Sequence, residues 1–217
     1  MSKAADAIAK AENKMQMKKE GRVGYVIYNN PERHNAVSLD MWEAAVAILD
    51  EYRNDKDISV VVVTGAGGKA FVSGADISRF EKERSSEDAV AHYNKVVEKS
   101  YAAFHEFPKP VIAMIRGYCI GGGMNLAACC DMRFCNEGAR FGVPAAKLGL
   151  GYGFLRIERL SRIVGLPRAM EFLFTARQYS SKEAYEMGLV NAVAADAELD
   201  ALVARTTDAI GQHAPLT

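Results

Sequence analysis

Hydrophobic and polar positions along the chain fall into two alternating patterns. Residues 15–18 and 23–28 predict two short strands around Gly21, and Asn29-Asn30-Pro31 then breaks the pattern as a turn. Ser38 has the character of a helix N-cap, and apolar residues recur at 42, 45, 46 and 49, so a helix is expected before Asp57 closes the unit. The run 59–63 is almost wholly valine. An apolar run without alternation marks a strand buried on both faces, usually in a parallel sheet. Gly65, Gly67 and Gly68 follow it as a loop.

The same grammar then recurs. An amphipathic helix over 88–107 is stopped by Pro108-Lys109-Pro110, and a buried strand follows over 111–115. A tight loop at 121–123 leads to a helix over 124–130 and a third core strand over 132–135. Beyond Arg140 come short elements and helices over 157–164, 167–174 and 181–187. Strands alternating with helices predict an α/β fold with a largely parallel sheet. The expected organisation is a leader over 1–14, helical or frayed, one core domain over 15–200 and the start of a C-terminal helical region over 201–217. No linker, low-complexity tract or simple repeat of known period interrupts it.

Composition narrows the function classes. Lys plus Arg and Asp plus Glu both number 27 in 217 residues, and no dense basic run occurs, so a nucleic-acid partner is not expected. The apolar stretch 111–130 has the length of a membrane span, but Arg116, Asn125 and a triple glycine interrupt it. It reads as a buried strand followed by a buried helix, with no membrane partner. Residues 1–20 lack the apolar core of a secretory signal, and a cytoplasmic location is expected. Cys119, Cys129, Cys130 and Cys135 lack the paired spacing of a zinc site and read as reduced core thiols, so no metal is expected.

The chemistry concentrates in two glycine loops. Neither is a phosphate loop: Gly68-Lys69 is followed by Ala70 rather than Ser or Thr, and no GxGxxG sits at a strand-to-helix turn. The first runs Phe71-Val72-Ser73-Gly74-Ala75-Asp76-Ile77. The second, Gly117-Tyr118-Cys119-Ile120-Gly121-Gly122-Gly123, leads into a helix. Glycines at a helix start leave backbone N–H groups free and aim the positive end of the helix dipole outward. If the two loops converge, two N–H donors can grip one oxygen as an oxyanion hole. Taken singly, each loop is equally what a tight turn needing small residues looks like.

Taken together, "GKAFVSGADI" and "PKPVIAMIRGYCIGGGMNLAACCDMRF" resemble the two signature segments of the crotonase (enoyl-CoA hydratase/isomerase) superfamily. The likeness extends through "NNPERHNAVS", "ARFGVPAAKLGLG" and "YSSKEAYEMGLVNAV", and covers roughly residues 15–200. It implies a spiral of ββα units with C-terminal helices, assembled as a homotrimer or a dimer of trimers. It further implies an acyl-CoA thioester as ligand, with coenzyme A entering as part of the substrate and no separate cofactor. By position, the N–H groups of Ala75 and Gly122 would form the oxyanion hole. Arg33, His34 and Ala36, together with Lys69, Ser73, Gly74, Asp76, Ile77 and Gly121, would line the coenzyme A and acyl site. Family members continue beyond "HAPLT" into helices that cover the acyl pocket, so the resemblance implies an incomplete C-terminal helical part. A residue from that part or from a neighbouring subunit could complete the site.

The chain departs from the family where hydratases carry two glutamates. Those positions are Asn125 and Ala145. An amide cannot take a proton at neutral pH and a methyl group does no acid–base work, but Asn125 is kept as a candidate catalytic residue because its amide can donate a hydrogen bond to substrate or water. The stretch "KLGLGYGFLRIERLSRIVG" instead resembles methylmalonyl-CoA decarboxylases, whose active-site tyrosine matches Tyr152. Decarboxylation needs an anion hole but no base for its first step. Three readings follow: an acyl-CoA enzyme of the hydratase/isomerase type, a decarboxylase acting without the glutamates, or a catalytically silent acyl-CoA binder. Arg156, Glu158 and Arg159 read as a solvated helical face. His92, Tyr93 and His105 lie on the helix before the second core strand and are not expected to be catalytic.

Overall fold

The computed structural model describes residues 2–79 and 85–213. Its main sheet has strands β1 (Met15–Glu20), β2 (Val23–Tyr28), β3 (Val60–Gly65), β5 (Val111–Ile115), β7 (Met132–Asn136) and β10 (Ala192–Ala194), adjacent in that order. Only the β1–β2 hairpin is antiparallel; the other neighbours run parallel. A second sheet joins β4 (Ala70–Val72), β6 (Tyr118–Ile120), β8 (Arg140–Gly142) and β9 (Tyr179–Ser180), with β8–β9 antiparallel.

The helices are α1 (Lys3–Lys10), α2 (Leu39–Asn54), α3 (Glu87–His105), α4 (Gly122–Cys129), α5 (Phe154–Val164), α6 (Leu166–Thr175), α7 (Ser181–Glu186) and α8 (Leu199–Gly211). Read along the chain, β3-β4-α3, β5-β6-α4 and β7-β8-α5 repeat one ββα unit, each giving one strand to each sheet. The implied α/β spiral with C-terminal helices is therefore present. Residues 214–217 of the predicted C-terminal region and Met1 of the leader lie outside the described residues.

The valine run explains the layering. Val61 and Val63 of β3 point into the larger core, where α2, α3 and α4 pack, while Val60 and Val62 join a second cluster closed by Leu199 and Val203 of α8. A strand covered on both faces favours apolar residues, buried Thr64 being accommodated by donating to the Met114 carbonyl (2.9 Å), and each fully buried valine contributes on the order of 1.5–3 kcal/mol. The leader is ordered: Ser2 caps α1, and Ala4 and Ala11 belong to the main core.

Beyond shifts of one to three residues at element ends, two features differ from the periodicity. The buried face of α2 is Met41, Trp42, Ala44, Ala45, Ile48, Leu49 and Tyr52, wider than the expected stripe, because α2 packs against α1 and α3 as well as the sheet. Val46 is only half-buried. In α4 the glycines are helical rather than a loop before the helix: Gly121 is the N-cap and Gly122 the first residue.

Candidate active site

Pairing of β4 with β6 brings the two glycine loops side by side. Val37 laces the first loop from outside: its N–H donates to the Gly74 carbonyl (2.8 Å) and its carbonyl accepts from the Asp76 N–H (3.0 Å). This bridge takes up groups on either side of Ala75 and leaves the Ala75 N–H without an acceptor among the described residues. The second loop is tied by the Gly121 N–H donating to the Gly142 carbonyl (2.8 Å), and the Gly122 N–H likewise has no acceptor there. Gly74 (φ +108°) and Gly121 (φ +56°, ψ −111°) hold backbone conformations that a side chain would oppose. The loops touch: a Cβ at Gly74 would sit 3.6 Å from the Gly122 nitrogen, and one at Gly122 would sit 3.5 Å from the Gly74 Cα. Two neighbouring unengaged N–H donors, one at the positive end of α4, are suited to share an anionic oxygen.

They open into a cavity of about 440 Å³. Its walls are mostly apolar, from Trp42, Val97, Val143, Pro144, Leu148 and Leu150. Polar character comes from Tyr93, Asn94, Tyr101 and Tyr152, and the one full charge among the described lining residues is Arg156. The guanidinium of Arg156 lies 5.4 Å from the Tyr101 ring centroid and 5.8 Å from that of Tyr152, and donates through Nε (3.0 Å) and Nη2 (2.5 Å) to Oε1 of Glu98. Burial drives the hydroxyls of Tyr101 and Tyr152 well above their ordinary pKa, against the pull of the nearby Arg156. Both are therefore neutral donors at physiological pH. The Tyr101 hydroxyl donates to the Gly122 carbonyl (3.2 Å), bracing the start of α4.

The enoyl-CoA hydratase/isomerase family model matches residues 18–215. The chain belongs to the enoyl-CoA hydratase/isomerase family. It is 36% identical over 204 residues to a short-chain-enoyl-CoA hydratase of Clostridium acetobutylicum, covering 94% of this chain and 77% of that protein. It is 35% identical over 209 residues to a peroxisomal Delta(3,5)-Delta(2,4)-dienoyl-CoA isomerase of Arabidopsis thaliana, covering 91% and 74%. A crystal structure of an enoyl-CoA hydratase/carnithine racemase from Magnetospirillum magneticum superposes with a TM-score of 0.90 at 37% identity, covering 94% of this chain and 76% of that one.

Within this family frame, the residues singled out from sequence separate into groups. Ser73, Gly74, Ala75, Ile77, Gly121, Gly122, Ala145 and Tyr152 all line the cavity. Arg33, His34, Ala36, Lys69 and Asp76 do not; they lie on the segments bonded to or flanking the first loop, which make up its rim. There Asp76 is buried and accepts from Ser78 (2.7 Å) and from Arg33 (3.4 Å), tying the two rim segments together. His34 is exposed in a left-handed conformation with its ring edge-on to Tyr118. Asn125 lies behind the wall rather than on it. Its amide neighbours the Tyr101 hydroxyl, yet in no hydrogen-bonding geometry, so Oδ1 and Nδ2 are buried without partners among the described residues.

Sequence reasoning went wrong on Arg156 and Arg159. Far from a solvated face, Arg156 lines the cavity and Arg159 is buried. Their charge suggested water, but α5 packs these positions toward α4. Tyr93 also lines the cavity, whereas His92 and His105 are exposed. Asn35 was missed: fully buried, it donates to the carbonyls of Ala66 (2.9 Å) and Ala70 (2.7 Å) and accepts from the Asn30 N–H (2.8 Å), locking the rim loop to β4. Its adjacency to Asn30 and Pro31 in a turn was the available signal. The four cysteines are free and buried, as expected. Among the described residues, no helix is long and apolar enough to cross a membrane.

Proposed function

We propose that this cavity binds an acyl-CoA thioester, and that the N–H groups of Ala75 and Gly122 hold its carbonyl oxygen while negative charge builds there. The observation that carries this reading is the pair of unengaged N–H donors on touching loops at the wall of an apolar cavity. Such donors are preorganised, so they need no rearrangement when an enolate forms, and one of them is commonly worth roughly 3–4 kcal/mol of barrier. Arg33, His34, Ala36 and Lys69 on the rim suit the anionic, polar coenzyme A portion, which enters as part of the substrate. The working unit in this reading is a homotrimer or a dimer of trimers.

The reaction favoured is one that needs no carboxylate base. No Asp, Glu or His is found among the described residues lining the cavity, and Ala145 lines it with a methyl group. Loss of a carboxylate from the acyl α-carbon meets that condition. The electron pair of the breaking carbon–carbon bond passes into the enolate, CO₂ departs, and the α-carbon then takes a solvent-derived proton. Tyr152, a neutral donor on the cavity wall, would orient the departing carboxylate. Hydration or isomerisation, the activities in the names of the relatives, would require a base from outside this set.

Turnover of crotonyl-CoA and methylmalonyl-CoA, measured side by side, tests the proposal. CO₂ release from methylmalonyl-CoA that is abolished in Tyr152→Phe supports it. Hydration of crotonyl-CoA at an enzymatic rate keeps the anion hole but refutes the decarboxylase reading. Binding of both without turnover of either makes the chain a silent acyl-CoA binder.

A further inference from the structure

We infer that the acyl group accepted by this cavity carries a carboxylate of its own, held between the guanidinium of Arg156 and the hydroxyl of Tyr152. The inference rests on the thioester reading above and specifies which class of thioester the site selects, independent of whether the carboxylate is then lost.

An apolar cavity that admits plain fatty acyl chains gains nothing from a charged wall, because desolvating a guanidinium against methylenes is costly. Here Arg156 supplies the only full charge among the described lining residues. Its planar group is fixed from three sides: the Tyr101 and Tyr152 rings flank it, and Glu98 takes the Nε–Nη2 edge through a single oxygen. A guanidinium fork held this way is preorganised for a planar oxyanion. Arg156 hydrogen-bonds only through Nε and Nη2, so its Nη1 group makes no hydrogen bond among the described residues, and neither does the Tyr152 hydroxyl.

Two donors on one wall, with no Asp or Glu lining the cavity beside them, call for an acceptor from the ligand. A carboxylate supplies two acceptor oxygens and the opposite charge. A hydroxyl or ketone would leave the positive charge without a counter-ion on its open edge. Glu98 is half-exposed, is outside the cavity lining and takes only Nε and Nη2, so it fixes Arg156 without filling the Nη1 edge. The acyl group is short in this view. Tyr101 reaches both: its ring lies 5.4 Å from the Arg156 guanidinium and its hydroxyl donates to the Gly122 carbonyl.

The experiment compares binding of glutaryl-CoA and pentanoyl-CoA to the full-length chain by isothermal titration calorimetry. The two share a carbon count, differ in the terminal carboxylate, and are saturated at the α,β bond, so neither is hydrated. Glutaryl-CoA is expected to bind about tenfold tighter, a typical worth for one charge-assisted hydrogen bond. The ratio of the two affinities should fall to about one in Arg156→Gln and be partly kept in Arg156→Lys. Equal affinity of the wild-type chain for the two thioesters overturns the inference while leaving the acyl-CoA reading intact. Failure of both to bind overturns both readings. The wild-type comparison decides even where a variant fails to fold. A preference that survives in a folded Arg156→Gln chain moves the carboxylate site elsewhere and refutes the role given to Arg156.

Discussion

Gly123→Ala is the perturbation that most directly tests whether the two loops are held together by close packing. Gly123 is the second residue of α4, where alanine is intrinsically the better helix former by about 1 kcal/mol. Propensity alone therefore predicts stabilisation. The structure predicts the reverse. A Cβ on Gly123 would lie 2.0 Å from the Val72 carbonyl oxygen, against the 3.4 Å at which ordinary contact begins, so α4 or β4 must give way by about 1.4 Å. The obstructing atom is backbone inside a paired strand and cannot rotate aside. Overpacking of this kind costs about 3 kcal/mol net, or a fall in Tm of roughly 6–12 °C for a chain of this size. Because β4 leads into Ala75 and α4 begins at Gly122, the same displacement would pull the two donors apart. A misplacement near 1 Å costs on the order of 100-fold in rate. Thermal unfolding by circular dichroism, with turnover of whichever thioester the wild-type chain accepts, reads both effects. Gly138→Ala is the control. Gly138 is exposed, with its nearest neighbour 3.6 Å from the added Cβ, and it should shift stability by less than about 0.5 kcal/mol. A Gly123→Ala chain that melts at or above the wild-type temperature with full activity would refute the packing argument.

Three further outcomes are expected. Arg133 is buried and donates to the carbonyls of Leu189, Ala127, Cys130 and Asp131, so Arg133→Met should lower stability by about 3 kcal/mol through stranded acceptors at the end of α4. A loss below about 1 kcal/mol in urea titration would mean water replaces the guanidinium. Glu183 closes the capping box of α7, and hydrogen bonding from the Ser180 backbone, then from Arg177, lowers its pKa from 4.5 to about 2. A depressed folded-state pKa gives stability that is present above 4.5 and lost as pH falls toward 2, so the Tm deficit of Glu183→Gln should be full at neutral pH and shrink across that window. A deficit independent of pH would remove the charge from the explanation. Burial raises the Cys129 thiol to about 12 and pushes the other three up as well, so a disulfide reagent at neutral pH should label the native chain only as fast as it unfolds. Rapid labelling of a folded sample would contradict that burial.

The linear chain determined the elements whose signal is local. The valine run over β3 and the stretch over β5 need apolar residues at every position because both faces are covered, and that requirement is visible without knowing what covers them. The glycines at 74 and 121–123 were also legible, since only a residue without a side chain meets those backbone conformations and contacts. The second sheet was not legible. Strands β4, β6 and β8 have three residues each and β9 two, too short for any period, and exist because pairing with neighbours from other repeats completes their hydrogen bonds. Tertiary structure alone decided which polar residues face the cavity. Asn125, named from the sequence as a site residue, is buried behind the wall, while Arg156, whose charge suggested solvent, lines it beside two tyrosines. Spacing gives the phase of a residue on its helix. What that face meets depends on how α3, α4 and α5 pack around the loops, and such long-range packing leaves no pattern in the order of residues.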